Sequence, residues 1–305
     1  MVPEAEFASY YGRPILKEPT WKADIPFYLF AGGLAGASAV LAEGAALRGL
    51  PTLERVARLT AAGGATVGTA ALVHDLGRPE RFLNMLRVVR PTSPMSVGSY
   101  VLAPFSAAAT VAAGSALTGR VPLLGRLGGV GAALLGPPLA TYTAALIADT
   151  AIPAWHEAHR ELPFVFAGSS ALAAGGVALV FTPRSQNGPA RRMLVAGAML
   201  DLAAGELMER RLGIIAEPYG RGRSGQLMRS AKAAALAAPA LSLLAGRSRA
   251  AGIVAGGMAA AASALTRFAI FEAGKASARD PKYTVVPQRD RRSLSRPAGD
   301  IPTRY

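Results

Sequence analysis

His74 and Asp75 stand side by side where a long apolar stretch gives way to Leu76-Gly77-Arg78-Pro79. An imidazole titrates near neutral pH, so this pair at a membrane edge suits proton exchange with a bound small molecule. Asp24 and Tyr28 lie four residues apart at the start of the first apolar stretch, on one helix face and at the same membrane level as the pair. Tyr142 lies close to the corresponding end of the fourth stretch. A carboxylate and tyrosine hydroxyls at this level could hydrogen-bond the carbonyl oxygens of a quinone, menaquinone or ubiquinone, while apolar walls hold its ring and tail. Asp75 and His74 are thus the candidate proton-handling residues, and Tyr142, Tyr28 and Asp24 the candidate quinone-binding ones. The structural alternatives are a capping Asp, an interfacial His and tyrosines satisfied by interhelical packing.

Ionisable groups deeper in an apolar stretch are costly, and each is a functional candidate for that reason. Asp201 sits deepest. Glu206 follows five residues on, about 140° around a helix, so the two do not share a face, whereas Glu206 and Glu209 do. Arg267 in the last stretch can serve as counter-charge for either acid, and Asp201, Glu206 and Arg267 together form a candidate proton relay or a structural ion pair. The three histidines are His74, His156 and His159, and the last two fall in a link, so facing haem ligands on two helices are not expected. There is no cysteine, hence no thiolate for an iron–sulfur cluster, and no metal site is expected in this chain.

The elements that must position these groups follow from charge spacing. Hydrophobic residues make up 51% of the 305 and charged residues only 17%, below the roughly 25% of soluble domains, and the charges cluster between apolar runs. The formal charge of +14 would fit a nucleic-acid binder, but the Lys and Arg residues lie mainly in short links, where membrane topology favours them. Taking roughly 20 apolar residues per crossing, the spans are Pro26–Leu47, Val56–Val73, Val97–Leu117, Leu127–Ala148, Leu162–Phe181, Met193–Met208, Ala231–Ala245 and Ala250–Phe271. The expected fold is all-α, a polytopic transmembrane bundle of about eight helices in two four-helix halves. Residues 1–25 form an N-terminal extramembrane segment without the features of a cleaved signal peptide, 26–150 the first half, 161–272 the second and 273–305 a polar basic tail. Six helices with two re-entrant segments is the alternative. Asp24-Ile25-Pro26-Phe27 and Glu161-Leu162-Pro163-Phe164, each followed by an Ala-Gly pair, hint at an internal repeat. Both termini and the links after the second, fourth and sixth spans share one side, called side B. Side B carries the larger share of Lys and Arg, which places the termini of this multi-pass protein on the cytoplasmic side of the cell membrane.

The run His74 to Tyr100, HDLGRPERFLNMLRVVRPTSPMSVGSY, resembles the NrfD/PsrC family, the integral-membrane subunits of polysulfide-reductase-like and nitrite-reductase-associated complexes. So do Thr141-Tyr142-Thr143 through Pro153-Ala154-Trp155, Glu209-Arg210-Arg211-Leu212-Gly213, Phe271-Glu272-Ala273-Gly274-Lys275 and Ser277-Ala278-Arg279-Asp280-Pro281. The resemblance implies a bundle without its own redox centre that exchanges quinone near one membrane face. It implies docking to a ferredoxin-like subunit with four iron–sulfur clusters, itself joined to a molybdopterin-type catalytic subunit. It also implies Asp75 as the quinone-site aspartate and Tyr142 as the fourth-helix tyrosine. Relatives carry Asn and His near the positions of Asp24 and Tyr28, and they face their soluble partners outside the cytoplasm. The rival expectations are a passive membrane anchor of such a complex and a secondary transporter or proton channel.

Overall fold

A computed structural model describes residues 15–78 and 80–295; the ends of the chain, and with them the far part of the basic tail, lie outside the described residues. Every regular element among the described residues is a helix. The eight long ones are α1 (Asp24–Ala46), α2 (Pro51–Leu76), α3 (Pro94–Thr118), α4 (Pro122–Ala148), α5 (Leu162–Phe181), α6 (Gly188–Leu212), α7 (Gly222–Leu243) and α8 (Arg249–Arg279). Proline stands in the first turn of α2, α3, α4, α5 and α6, where its missing N–H costs nothing. Gly77 and Gly119 end α2 and α3 in the left-handed conformation, at φ 69° and 67°, which a side chain would resist.

Seven of these helices are long and apolar enough to cross a bilayer. The exception is α6, whose Met193–Met208 core the sequence presents as a span. Its full length carries Arg191, Arg192, Asp201, Glu206, Glu209, Arg210 and Arg211, and it lies against α5 and α7. The last helix is longer than its apolar part. α8 continues past Phe271 to Arg279, and a further helix, Lys282–Ser295, follows within the tail.

The helices pair in one pattern twice. In the first half α1 packs on α2 and α4, and α3 packs on α4; in the second α5 packs on α6 and α8, and α7 packs on α8. The halves meet through α1, α4, α5 and α8. In hydrocarbon, helices associate by close contact of small residues, because lipid gives no hydrophobic drive. Gly36 and Gly136 each bring α1 and α4 so near that a Cβ on either would collide with the other's carbonyl oxygen. Gly176 and Gly256 do the same between α5 and α8. A glycine contact of the same kind thus joins the first and fourth helices of each half.

Overpacking these sites is expected to be costly. Gly36→Val or Gly256→Val should each lower stability by about 1–3 kcal/mol, seen as an earlier thermal unfolding transition of the detergent-purified protein. Gly63→Ala, with no atom within 4 Å of the added carbon, should leave that transition in place.

Candidate functional site

At the side B end of the first half, α1, α2, α3 and α4 enclose a cavity of about 80 Å³. Its walls are mainly apolar, from Ile25, Leu72, Leu76, Leu102 and Leu146, with Met85 and Met95 at the edge. Asp75, Tyr28 and Tyr142 also line it. Among the described residues, neither tyrosine hydroxyl nor the Asp75 carboxylate has a hydrogen-bond or ion-pair partner, although Tyr28 is only 2% exposed. Ser99, the fourth polar residue of the lining, is already satisfied by the carbonyl of Ser96 at 2.8 Å. Tyr28 is buried and Asp75 and Tyr142 are half-buried, so three polar groups without partners among the described residues border one largely apolar space.

His74 and Asp24 stand beside this space rather than in its wall. Their side chains pair with each other, His74 Nδ1 to Asp24 Oδ2 at 3.2 Å, and His74 is 76% exposed. The first-half candidates thus divide into a cavity set (Asp75, Tyr28, Tyr142) and a rim pair (His74, Asp24) that links α2 to α1 at the aqueous edge.

Two further residues shape the cavity, and only their environment reveals it. Gly98 of α3 lies against Tyr142: a Cβ there would come within 2.7 Å of ring atoms Cδ2 and Cζ, and closer still to Cε2. Its absence lets the phenol lie flat on α3. Trp21, ahead of α1, closes the outer side and stacks on Trp155 with ring centroids 5.8 Å apart. Trp155 is fully buried and donates from Nε1 to the Ile270 carbonyl at 2.8 Å, and Gly274 leaves room for its indole against α8. The preference of Trp for membrane interfaces could have marked Trp21 in the sequence; nothing local marked Gly98.

The segment carrying Trp21 is tied down by charge. Glu18 accepts from Arg279 Nη2 at 2.7 Å and Nε at 2.9 Å, and pairs with Lys275 at 3.2 Å. The Arg279 hydrogen bonds hold the Glu18 carboxyl below its usual range. The tail is held in the same manner. Glu217 accepts from Lys282 at 2.9 Å, which lowers its pKa, and from Tyr283 at 3.3 Å, whose own pKa burial pushes up to about 12. The start of the tail therefore packs on this chain.

The second half carries a counterpart, a cavity of about 20 Å³ walled by Val165 of α5, Asp201 and Met208 of α6, Met228 and Lys232 of α7 and Thr266 of α8. Lys232 binds Glu209 at 2.7 Å. Asp201, 6% exposed, faces this space without a hydrogen bond among the described residues. Glu206 is on the exposed side of α6, paired with Arg210 at 2.8 Å. Arg267 is fully buried, donating to the Phe166 carbonyl at 2.8 Å and Ser170 Oγ at 2.9 Å, with its guanidinium 3.5 Å above the Phe166 ring. The three relay candidates are therefore not joined by direct contact; Lys232, which sequence reasoning missed, is the cation that shares a cavity with Asp201. At the opposite end of the bundle Glu43 is answered by Arg58 at 3.3 Å, a buried pair tying α1 to α2.

Residues 16–117 match the family model described as Polysulphide reductase, NrfD. The NrfD match spans α1, α2 and α3 and contains Asp24, Tyr28, His74, Asp75 and Gly98, while Tyr142 lies beyond it. It supports the resemblance carried by the His74–Tyr100 run. A comparison with curated proteins found no match.

Gly98→Ala should cost about 1–3 kcal/mol by driving a methyl into the Tyr142 ring. The same change in a Tyr142→Ser background should cost far less, a coupling read from thermal unfolding of the four variants. Because the Glu18 carboxyl is lowered from 4.5, its clamp is fully present above that value and is lost as pH falls through the lower folded one. Acidification below about pH 4.5 should change the fluorescence of the Trp21–Trp155 stack, and Glu18→Gln should show the acid spectrum already at neutral pH.

Proposed function

We propose that this chain is a quinone/quinol-exchanging integral membrane subunit of a multisubunit oxidoreductase, passing electrons between the membrane quinone pool and an iron–sulfur partner. The NrfD match supports the coarser part, a membrane subunit of an oxidoreductase complex. The quinone reading is carried by one observation: an unpartnered carboxylate and two unpartnered phenol hydroxyls meet in an apolar cavity at the end of the bundle.

The residues fit the edge of a quinone headgroup. Ligand pockets are commonly about 300–1,000 Å³, so the closed space admits a ring edge and the remainder must lie toward lipid. Met85 and Met95 are the flexible side chains able to give way there. When bound, a quinone supplies two-electron, two-proton redox chemistry. The chain's part is protonic and positional. Tyr28 and Tyr142 donate hydrogen bonds to ring oxygens, Asp75 accepts or returns a proton inside the apolar wall, and the exposed His74–Asp24 pair exchanges protons with water beside it. Trp21 covers the space from outside.

Electrons leave or enter through a partner. The link between α2 and α3 presents Arg78, Arg87 and Arg90, all exposed, beside exposed Leu83, Val88 and Val89. Charge around an apolar centre suits docking of a ferredoxin-like four-cluster subunit, which would serve a molybdopterin-type catalytic subunit. The weight of Lys and Arg on side B favours cytoplasmic termini in the cell membrane. The Asp201 cavity supports a second reading, proton uptake from side B past Lys232 and Glu209. Uptake of protons by liposomes containing the chain alone would favour it.

In the assembled complex Asp75→Asn should reduce quinol turnover by about 10²-fold or more. Tyr142→Phe should reduce it about fivefold, the loss of one neutral hydrogen bond. Unchanged turnover in Asp75→Asn would remove that carboxylate from the mechanism. A quinone analogue that perturbs no cluster signal would leave the passive-anchor reading.

A further inference from the structure

The end of the second half opposite the quinone cavity is charged in an unbalanced way. Arg184, Arg191, Arg192, Arg247 and Arg249 lie there, while residues 162–200 and 233–271 contain no Asp or Glu. Arg249 is committed to the last turn of α5, donating to the carbonyls of Leu179 at 3.0 Å, Thr182 at 2.8 Å and Val180. Arg191 and Arg192 have no such role. Among the described residues neither side chain has a hydrogen bond or ion pair, and the Arg191 Nε is buried without a partner. Both border a groove of about 380 Å³ between α6 and α7.

Apart from Ser242, whose hydroxyl donates to the Pro239 carbonyl at 2.7 Å, the groove beyond the two arginines is apolar. Val195, Ala196 and Met199 follow Arg192 along one stripe of α6, and Leu243 forms the facing wall from α7. At 1.5 Å per residue, Arg192 to Met199 descends about 10 Å into the bilayer. Met199 and Leu243 are 68% and 67% exposed, so the groove opens sideways to lipid rather than into the bundle. A cationic mouth at the membrane border above an apolar trough has the polarity of a phospholipid: an anionic head above a hydrocarbon chain. A free anion would use the mouth alone, and a protein helix would need no uncompensated pair of guanidinium groups at one end.

We infer that the α6–α7 groove holds one anionic phospholipid, its phosphate between Arg191 and Arg192 and an acyl chain along Val195 and Met199. Bound there, the lipid neutralises charge that no acid of the described chain answers. It also covers the apolar stripe of α6, the long helix least able to face hydrocarbon on its own.

The test is native mass spectrometry of the full chain, delipidated in detergent and titrated with phosphatidylglycerol, phosphatidylcholine or glycerol 3-phosphate. The wild type should retain a single phosphatidylglycerol in preference to phosphatidylcholine, and should not bind glycerol 3-phosphate. Arg191→Gln/Arg192→Gln should weaken that retention by about 30-fold. Met199→Trp, which fills the trough and leaves both arginines, should lose the lipid as well, while Arg55→Gln/Arg126→Gln at the same membrane end should keep it. Equal retention of the two lipids, binding of glycerol 3-phosphate at the same site, or unaltered retention in the Arg191/Arg192 and Met199 variants would each overturn the assignment.

Discussion

The molecule depends on two places where backbones touch. Between α1 and α4, Gly36 and Gly136 bring backbone against backbone, and Gly176 and Gly256 do so between α5 and α8. This spacing fixes what happens two turns away. Tyr28 lies about 12 Å from Gly36 along α1, and Tyr142 about 9 Å from Gly136 along α4, both toward the same membrane face. Helices held in van der Waals contact at mid-depth bring the two phenols into one wall. Wider helices would separate them, or admit lipid between them.

What could be read from the sequence and what could not divides along contact distance. The spans were legible because charges stop where hydrocarbon begins. Asp75, Tyr28 and Tyr142 were legible because a polar side chain near the end of an apolar run is conspicuous. Gly98 was not, since its value is the ring that rests on it from another helix. The stacking of Trp21 was not, because its partner Trp155 is more than a hundred residues away. The deep charges show the same limit. Helical angles separate Asp201 from Glu206 correctly, yet no spacing rule identifies Lys232 as the cation across the cavity, or sends Arg267 to an aromatic face. The charged ends of α6 likewise hid how poorly that helix meets a hydropathy criterion.

The two halves, similar in helix pairing, hold chambers with different contents. In the first half the four walls supply phenols, a carboxylate and leucines; in the second they supply valine, threonine, a carboxylate and an amine in a space a quarter as large. The same scaffold can hold either a ring edge or little more than a water molecule, because the glycine contacts set the helix spacing and the side chains set the residual volume. Specialisation of one chamber thus leaves the architecture of the other intact.

Arg267 has a mechanical consequence. Its guanidinium rests on Phe166 and bonds two α5 oxygens, directly beneath the glycine of α1 at position 33, where even a methyl group would meet it at 3.1 Å. Phe166, Ser170 and Arg267 all belong to the second half, so the cluster locks α5 to α8 inside that half. Pulling α8 away from α5 would drag this cation off an aromatic ring and away from its oxygens, with two of its nitrogens already lacking acceptors. The second half is thus pinned within itself, and the first half rests on it at a place that glycine leaves bare.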